Sequence, residues 1–189
     1  MERIIKKTEP HLFDLAFGYI QDALGKELAW LDHIFPSAER LVKIVNGKKI
    51  YSPNIFVEGN EYELITPDAD GIGNYSFFIL SEPQTIRYDV GSRVKMVSPF
   101  SLVVWFDTRG ISDFADERNM EGIKRDILRA IRKTWMRSGG FHINKVWTRA
   151  ENIFKEYTLD EIDNQYLMQP YGGFRFDGEI TIEEECENG

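Results

Sequence analysis

Ser101-Leu102-Val103-Val104-Trp105-Phe106, followed by Asp107-Thr108-Arg109-Gly110, is the stretch whose reading decides the fold. Leu102 to Phe106 is a continuous apolar run of β-branched and aromatic residues. It is short for a helix and suits a strand covered on both faces. The Asp-Thr-Arg-Gly that follows is turn chemistry. Over residues 117–137, Met120, Ile123, Ile127, Ala130, Ile131 and Trp135 then fall on one arc at about 100° per residue. Arg125, Arg129, Arg132 and Lys133 take the opposite arc. Lys124 lies inside the apolar arc, so its stem is expected along the apolar edge with the ammonium in water. Ser138-Gly139-Gly140 supplies the C-terminal stop. A buried strand, a tight turn and one long amphipathic helix are therefore the expected centre of the chain.

Upstream, Phe13, Phe17, Ile20, Leu24, Leu28 and Leu31 recur at steps of three and four. They predict an N-terminal helical segment over about 10–35, weakened by Gly18 and Gly25 and ended by Pro36. Asn46-Gly47 between Leu41 and Tyr51 is a strong hairpin signal. Glu61 to Ile65 and Tyr75 to Leu80 read as strands around a loop at 67–74. Ile86 to Val97 reads as extended chain. Downstream, Phe141 to Trp147 reads as a short strand and Ala150 to Tyr157 as a short helix or turn. Thr158-Leu159-Asp160-Glu161 fits a capping box, and Pro170-Tyr171-Gly172-Gly173 breaks the chain. The last stretch alternates: Phe174, Phe176, Ile180 and Ile182 point one way, Arg175, Asp177, Glu179, Thr181 and Glu183 the other. Strands on either side of one main helix predict a single α+β domain over 1–189, with a mostly antiparallel mixed sheet and shorter helices packed on it.

The chain has 189 residues, 42% hydrophobic and 29% charged, which suits one folded domain with a real core. No apolar run reaches the roughly 18 residues of a membrane span, and Met1 to Lys7 lacks a signal-peptide core. The single cysteine, Cys186, excludes an internal disulfide framework and a cysteine-based zinc cluster. A net charge of −8 argues against general nucleic-acid binding. The charge is divided unevenly. Residues 118–149 carry nine Lys or Arg and two acids, whereas 151–189 carry two and eleven. Such a division is either two solvated faces, an intrachain match, or a match between copies of the chain.

Catalytic signatures are not legible. His11, His33 and His142 are far apart and lack metal-pair spacing. Cys186 stands among glutamates that disfavour its thiolate. Asp68-Ala69-Asp70-Gly71 suggests a calcium loop, but Ile79 occupies the place of the bidentate glutamate. Neither a phosphate-binding loop nor a nucleophile elbow occurs. The chain is therefore read as no enzyme, with no cofactor and no metal.

The run Ser101 to Phe106, the long helix, Tyr166-Leu167-Met168-Gln169-Pro170-Tyr171-Gly172-Gly173-Phe174-Arg175-Phe176 and the acidic strand ending at Cys186 resemble prophage-encoded proteins. The loop Thr66 to Asn74 ahead of Tyr75-Ser76-Phe77-Phe78 adds to the likeness. The resemblance, over about 60–186, is to small tail-completion and tail-terminator proteins of long-tailed phages. It implies an α+β fold, a ring of identical subunits, no catalysis, phage tail or head-completion proteins as partners, and residence in the bacterial host cytoplasm and then the virion. A ring needs one patch against a different patch. The cations Arg125, Arg129, Arg132 and Lys133 are the candidate for one. Glu179, Glu183 and Glu185, expected on a final strand at the sheet edge, are the candidate for the other. Buried area from Trp147, Tyr171 or Phe174 would supply affinity. The alternative is a nucleic-acid-binding accessory protein that uses the basic helix face; under the first reading DNA contact is only non-specific.

Overall fold

A computed structural model describes residues 4–7, 10–57, 61–89, 93–111, 120–134 and 140–185. Three α-helices are described: α1 (Phe13–Glu27), α2 (Met120–Arg132) and α3 (Ala150–Ile153). Nine strands accompany them. β1 (His33–Ser37), β5 (Tyr75–Leu80), β6 (Thr85–Asp89), β7 (Arg93–Asp107), β8 (Gly140–Trp147) and β9 (Tyr171–Glu185) form one sheet. Its order is β1-β5-β7-β9-β8, with β6 also on β7. Among the strands described, β1 and β5 run parallel and the other pairs antiparallel, so the sheet is mixed. β2 (Glu39–Val45), β3 (Lys48–Val57) and β4 (Glu61–Leu64) form a second, antiparallel sheet. The α+β class is as expected.

Leu102 to Phe106 is completely buried, for the reason its composition suggests: both faces are covered. On one face Leu102, Val104 and Phe106 join Phe78, Phe174 and Phe176 under α1 and α2. The Phe17 and Phe78 rings stack there at 4.4 Å. On the other face Val103 and Trp105 join Phe77, Ile55 of β3, and Ile153 and Phe154 of α3 and its following turn. The strand ends as its residues dictate. Asp107 accepts from the Arg109 N–H at 2.9 Å and starts a 3₁₀ turn over Thr108–Gly110.

The expected long helix is shorter than its pattern. α2 has 13 residues, fewer than the 15 of α1. At its end the Lys133 and Thr134 N–H groups donate to Ala130 and Ile131, three residues back, and the helical ladder stops. Residues 117–119 and 135–137 of the expected helix lie outside the described residues. α1 is one continuous piece despite Gly18 and Gly25, because burial of Phe13, Phe17, Ile20 and Leu24 outweighs about 1 kcal/mol per glycine. It also ends early, at Glu27, and Pro36 sits inside β1.

Other differences are long-range in origin. The extended chain over 86–97 is two strands, β6 and the start of β7, paired from Thr85↔Val97 to Asp89↔Arg93. β7 then continues through Pro99. The Pro99 carbonyl accepts from Ser81 N–H at 3.0 Å, so its side without a donor faces the junction between β5 and β6, where no ladder bond is lost. The capping box is not made. The Thr158 hydroxyl accepts from Tyr51 N–H of β3 at 3.0 Å instead of capping its own turn. The Asn46-Gly47 turn is as expected, with φ of 50° and 77°, and joins β2 to β3.

Gly172 and Gly173 do not break the chain; they are part of β9. Gly173 pairs with Trp105, and a Cβ there would overlap the Trp105 ring and the Val104 carbonyl oxygen. Glycine is the price of laying the indole across β9. Gly173→Ala is expected to cost about 1–3 kcal/mol in a denaturant titration. An unchanged midpoint would mean that the indole and the Val104 backbone both give way without cost.

The largest correction concerns β9. Its charged alternation at the chain end predicts a sheet edge, but it lies between β7 and β8. It pairs with β7 over its whole length, Asp107↔Tyr171 to Arg93↔Glu185. Beyond β9, the last strand on that side of the sheet is β8.

Candidate functional site

α2 is strongly two-sided. Ile123, Ile127, Ala130 and Ile131 are buried, whereas Arg125, Arg129, Arg132 and Lys133 are exposed on the outer surface. Two of the four cations are engaged within the chain. Lys133 Nζ lies 2.6 Å from Glu27 Oε2 at the end of α1, and this hydrogen bond lowers the Glu27 carboxyl below its ordinary pKa. Arg125 Nε lies 3.1 Å from Asp126 Oδ1. Arg129 and Arg132 have no ion pair among the described residues. Lys124 behaves as its position suggests: its stem is half-buried and its ammonium reaches Glu121 at 2.6 Å.

Between α2 and β8 runs a groove of about 1140 Å³. Leu128 and Ile131 from the helix and Phe141 and Ile143 from the strand give it an apolar floor, and the α2 cations surround it. β8 borders this groove as the last strand of the sheet, and its outward N–H and C=O groups have no backbone partner among the described residues.

The acidic candidates are placed differently from expectation. Glu179 and Glu183 are exposed on the sheet face opposite α1 and α2. Glu183 already pairs with Lys95 at 3.2 Å. Glu185 ends β9, and its side chain lies outside the described residues. Basic helix and acidic strand face are therefore on opposite sides of one sheet and cannot neutralise each other within a chain. Of the apolar candidates, Phe174 is core and not available to a partner. Trp147 and Tyr171 are half-buried.

Sequence reading missed Arg175. Alternation puts it on a polar face with Asp177, yet its side chain is only 2% exposed. Its Nε donates to Asp177 Oδ1 at 2.6 Å, and its Nη2 to Glu156 Oε1 at 2.6 Å and to Ser101 Oγ at 2.8 Å. Asp177 also accepts from Ser101 Oγ and Trp147 Nε1, both at 2.7 Å. Lys155 Nζ approaches it at 3.2 Å. Burial alone would raise the Asp177 pKa, but the bonds from Arg175, Ser101 and Trp147 outweigh it and hold the carboxyl far below the ordinary carboxylate range. A carboxylate so firmly deprotonated is a poor general base. The cluster thus clamps α3 and its following turn onto β7, β8 and β9. The signal available in the sequence was Arg-x-Asp within a strand, which gives two charges one face and says nothing of what covers it.

Among the described residues, no group of three or more His, Cys, Asp or Glu is placed to hold a metal ion. No described helix is long and apolar enough to cross a membrane. No family model matches the chain, and no curated protein matches it.

Proposed function

We propose that this chain is a non-enzymatic structural protein that self-associates at a phage tail or head–tail junction, as a tail terminator would. It would assemble in the bacterial host cytoplasm and remain in the virion. The carrying observation is the α2–β8 surface, where exposed Arg129 and Arg132 stand beside an apolar groove and the β8 edge; among the described residues the arginines have no ion pair and that edge no backbone partner. Such a surface offers charge for register and buried area for affinity. The sheet face opposite α2 carries Glu179 and Glu183, so the two sides of the chain differ chemically, and a head-to-tail contact joins two different surfaces of one chain.

The same arginines favour one competing reading, contact with nucleic-acid phosphates by an accessory protein. The two readings separate in solution. Sedimentation of wild type and an Arg129→Glu/Arg132→Glu variant at low and high salt is expected to show a salt-sensitive oligomer lost in the variant. A strict monomer under every condition that also fails to bind purified tail tubes would refute self-association. Sub-micromolar duplex binding, steeply weakened by salt and abolished by Arg129→Glu, would reverse the ranking.

A further inference from the structure

We infer that the β4 edge of one copy of this chain adds to the β8 edge of the next, with Tyr62 and Leu64 entering the α2–β8 groove. The inference rests on the self-association proposed above and names its contact. β4 (Glu61–Leu64) is the outer strand of the three-stranded sheet, and all four of its residues are exposed. It pairs with β3 on one side, and its other side has no backbone partner among the described residues. An exposed strand with free N–H and C=O groups is a template for another strand.

The residues of β4 alternate in a way that matches β8. Tyr62 and Leu64 share one face, and they are 43% and 41% exposed. Tyr62 is held there by Phe56, ring to ring at 5.6 Å, and by a hydrogen bond from its hydroxyl to Glu39 at 2.9 Å. Glu61 and Glu63 take the other face. On β8, Phe141 and Ile143 lie on the groove face, whereas the exposed His142 and Lys145 lie on the opposite face, beside Glu179 and Asp177 in register. When the two edges join, side chains of adjacent strands sort to the same two faces. Tyr62 and Leu64 then meet Phe141 and Ile143 on the apolar floor of the groove, and Glu63 lies across from His142 with Lys145 next to it on the same face. Glu39, on the Tyr62 face, is carried toward Arg129 and Arg132. One orientation thus matches apolar to apolar and anion to cation on both faces. The two edges are different surfaces of the same chain, so the contact is head-to-tail. It also replaces the acidic half of the expected interface, because β9 is interior and its Glu183 is already paired.

The test uses full-length chains carrying Cys186→Ser. Chains with Leu64→Cys are mixed with chains carrying Ile143→Cys under mild oxidation, and the control mixture replaces Ile143→Cys by Lys26→Cys on the exposed side of α1. The mixed disulfide dimer is expected at ten times the control yield or more. In parallel, a Tyr62→Lys/Leu64→Lys variant with an unchanged melting curve is expected to sediment as monomer where wild type does not. An oligomer with no crosslink above the control overturns this contact and leaves self-association standing. So does an oligomer that persists in the folded double-lysine variant. Wild type that is monomeric under every condition overturns both.

Discussion

Arg175→Met is expected to destabilise the protein by about 3 kcal/mol, at the lower end of the range for breaking a buried ion pair. The side chain lies within the core, and the methionine replaces its volume but not its charge. Asp177 and Glu156 are then left without the guanidinium, and the Ser101 hydroxyl loses a donor. The effect stays at the lower end because Glu156 and Asp177 keep some access to water, 29% and 17%. An Arg175→Met/Asp177→Asn double mutant should recover part of the loss, since it removes the stranded charge. Acid titration tests the same cluster. The folded Asp177 pKa lies below its unfolded value near 3.8. Its contribution to stability is therefore present above about pH 4 and lost as pH falls below it toward the folded pKa. Wild type should lose stability more steeply below pH 4 than Asp177→Asn. Equal slopes, or an Arg175→Met loss below half a kcal/mol, would mean that the cluster is not a clamp.

Ile127→Ala is expected to cost about 2–5 kcal/mol, the range for emptying a packed aliphatic site. Ile127 is fully buried in the middle of α2, in the apolar cluster that also holds Leu102, Val104, Phe174 and Phe176. Neither a 13-residue helix nor the sheet face beneath it can close readily around the missing atoms. Arg129→Ala on the opposite arc should change stability by no more than about 0.5 kcal/mol. Comparable losses for both would mean that the apolar arc is not what holds α2 in place. The contrast also separates stability from assembly, since the arginine substitution bears only on association.

Local patterns carried much of the architecture. The limits of β5 follow from Tyr75 to Leu80, where a compact apolar run is bounded by Asn74 and the Ser81-Glu82-Pro83 break. The β2–β3 hairpin follows from Asn46-Gly47, because those residues tolerate positive φ. The two-sidedness of α2 follows from a 3.6-residue period, and the α+β class from the order of these elements. All of this is encoded over a few neighbouring residues.

Sheet order is not encoded that way. Alternation along Phe174 to Glu183 tells which residues share a face, and it did so correctly. It cannot tell whether the second face is open to water, and α3 with its following turn covers Arg175 through Glu156. It also cannot tell an interior strand from an edge, because β9 owes its place to pairing with β7 on one side and β8 on the other. The candidate site divided along the same line. Arg125, Arg129, Arg132 and Lys133 were legible as one helical face from spacing alone. The groove beside them was not, since it exists only where β8, the outermost strand, passes the helix. Local periodicity assigned each side chain to a face; long-range strand pairing decided which faces and edges were left exposed.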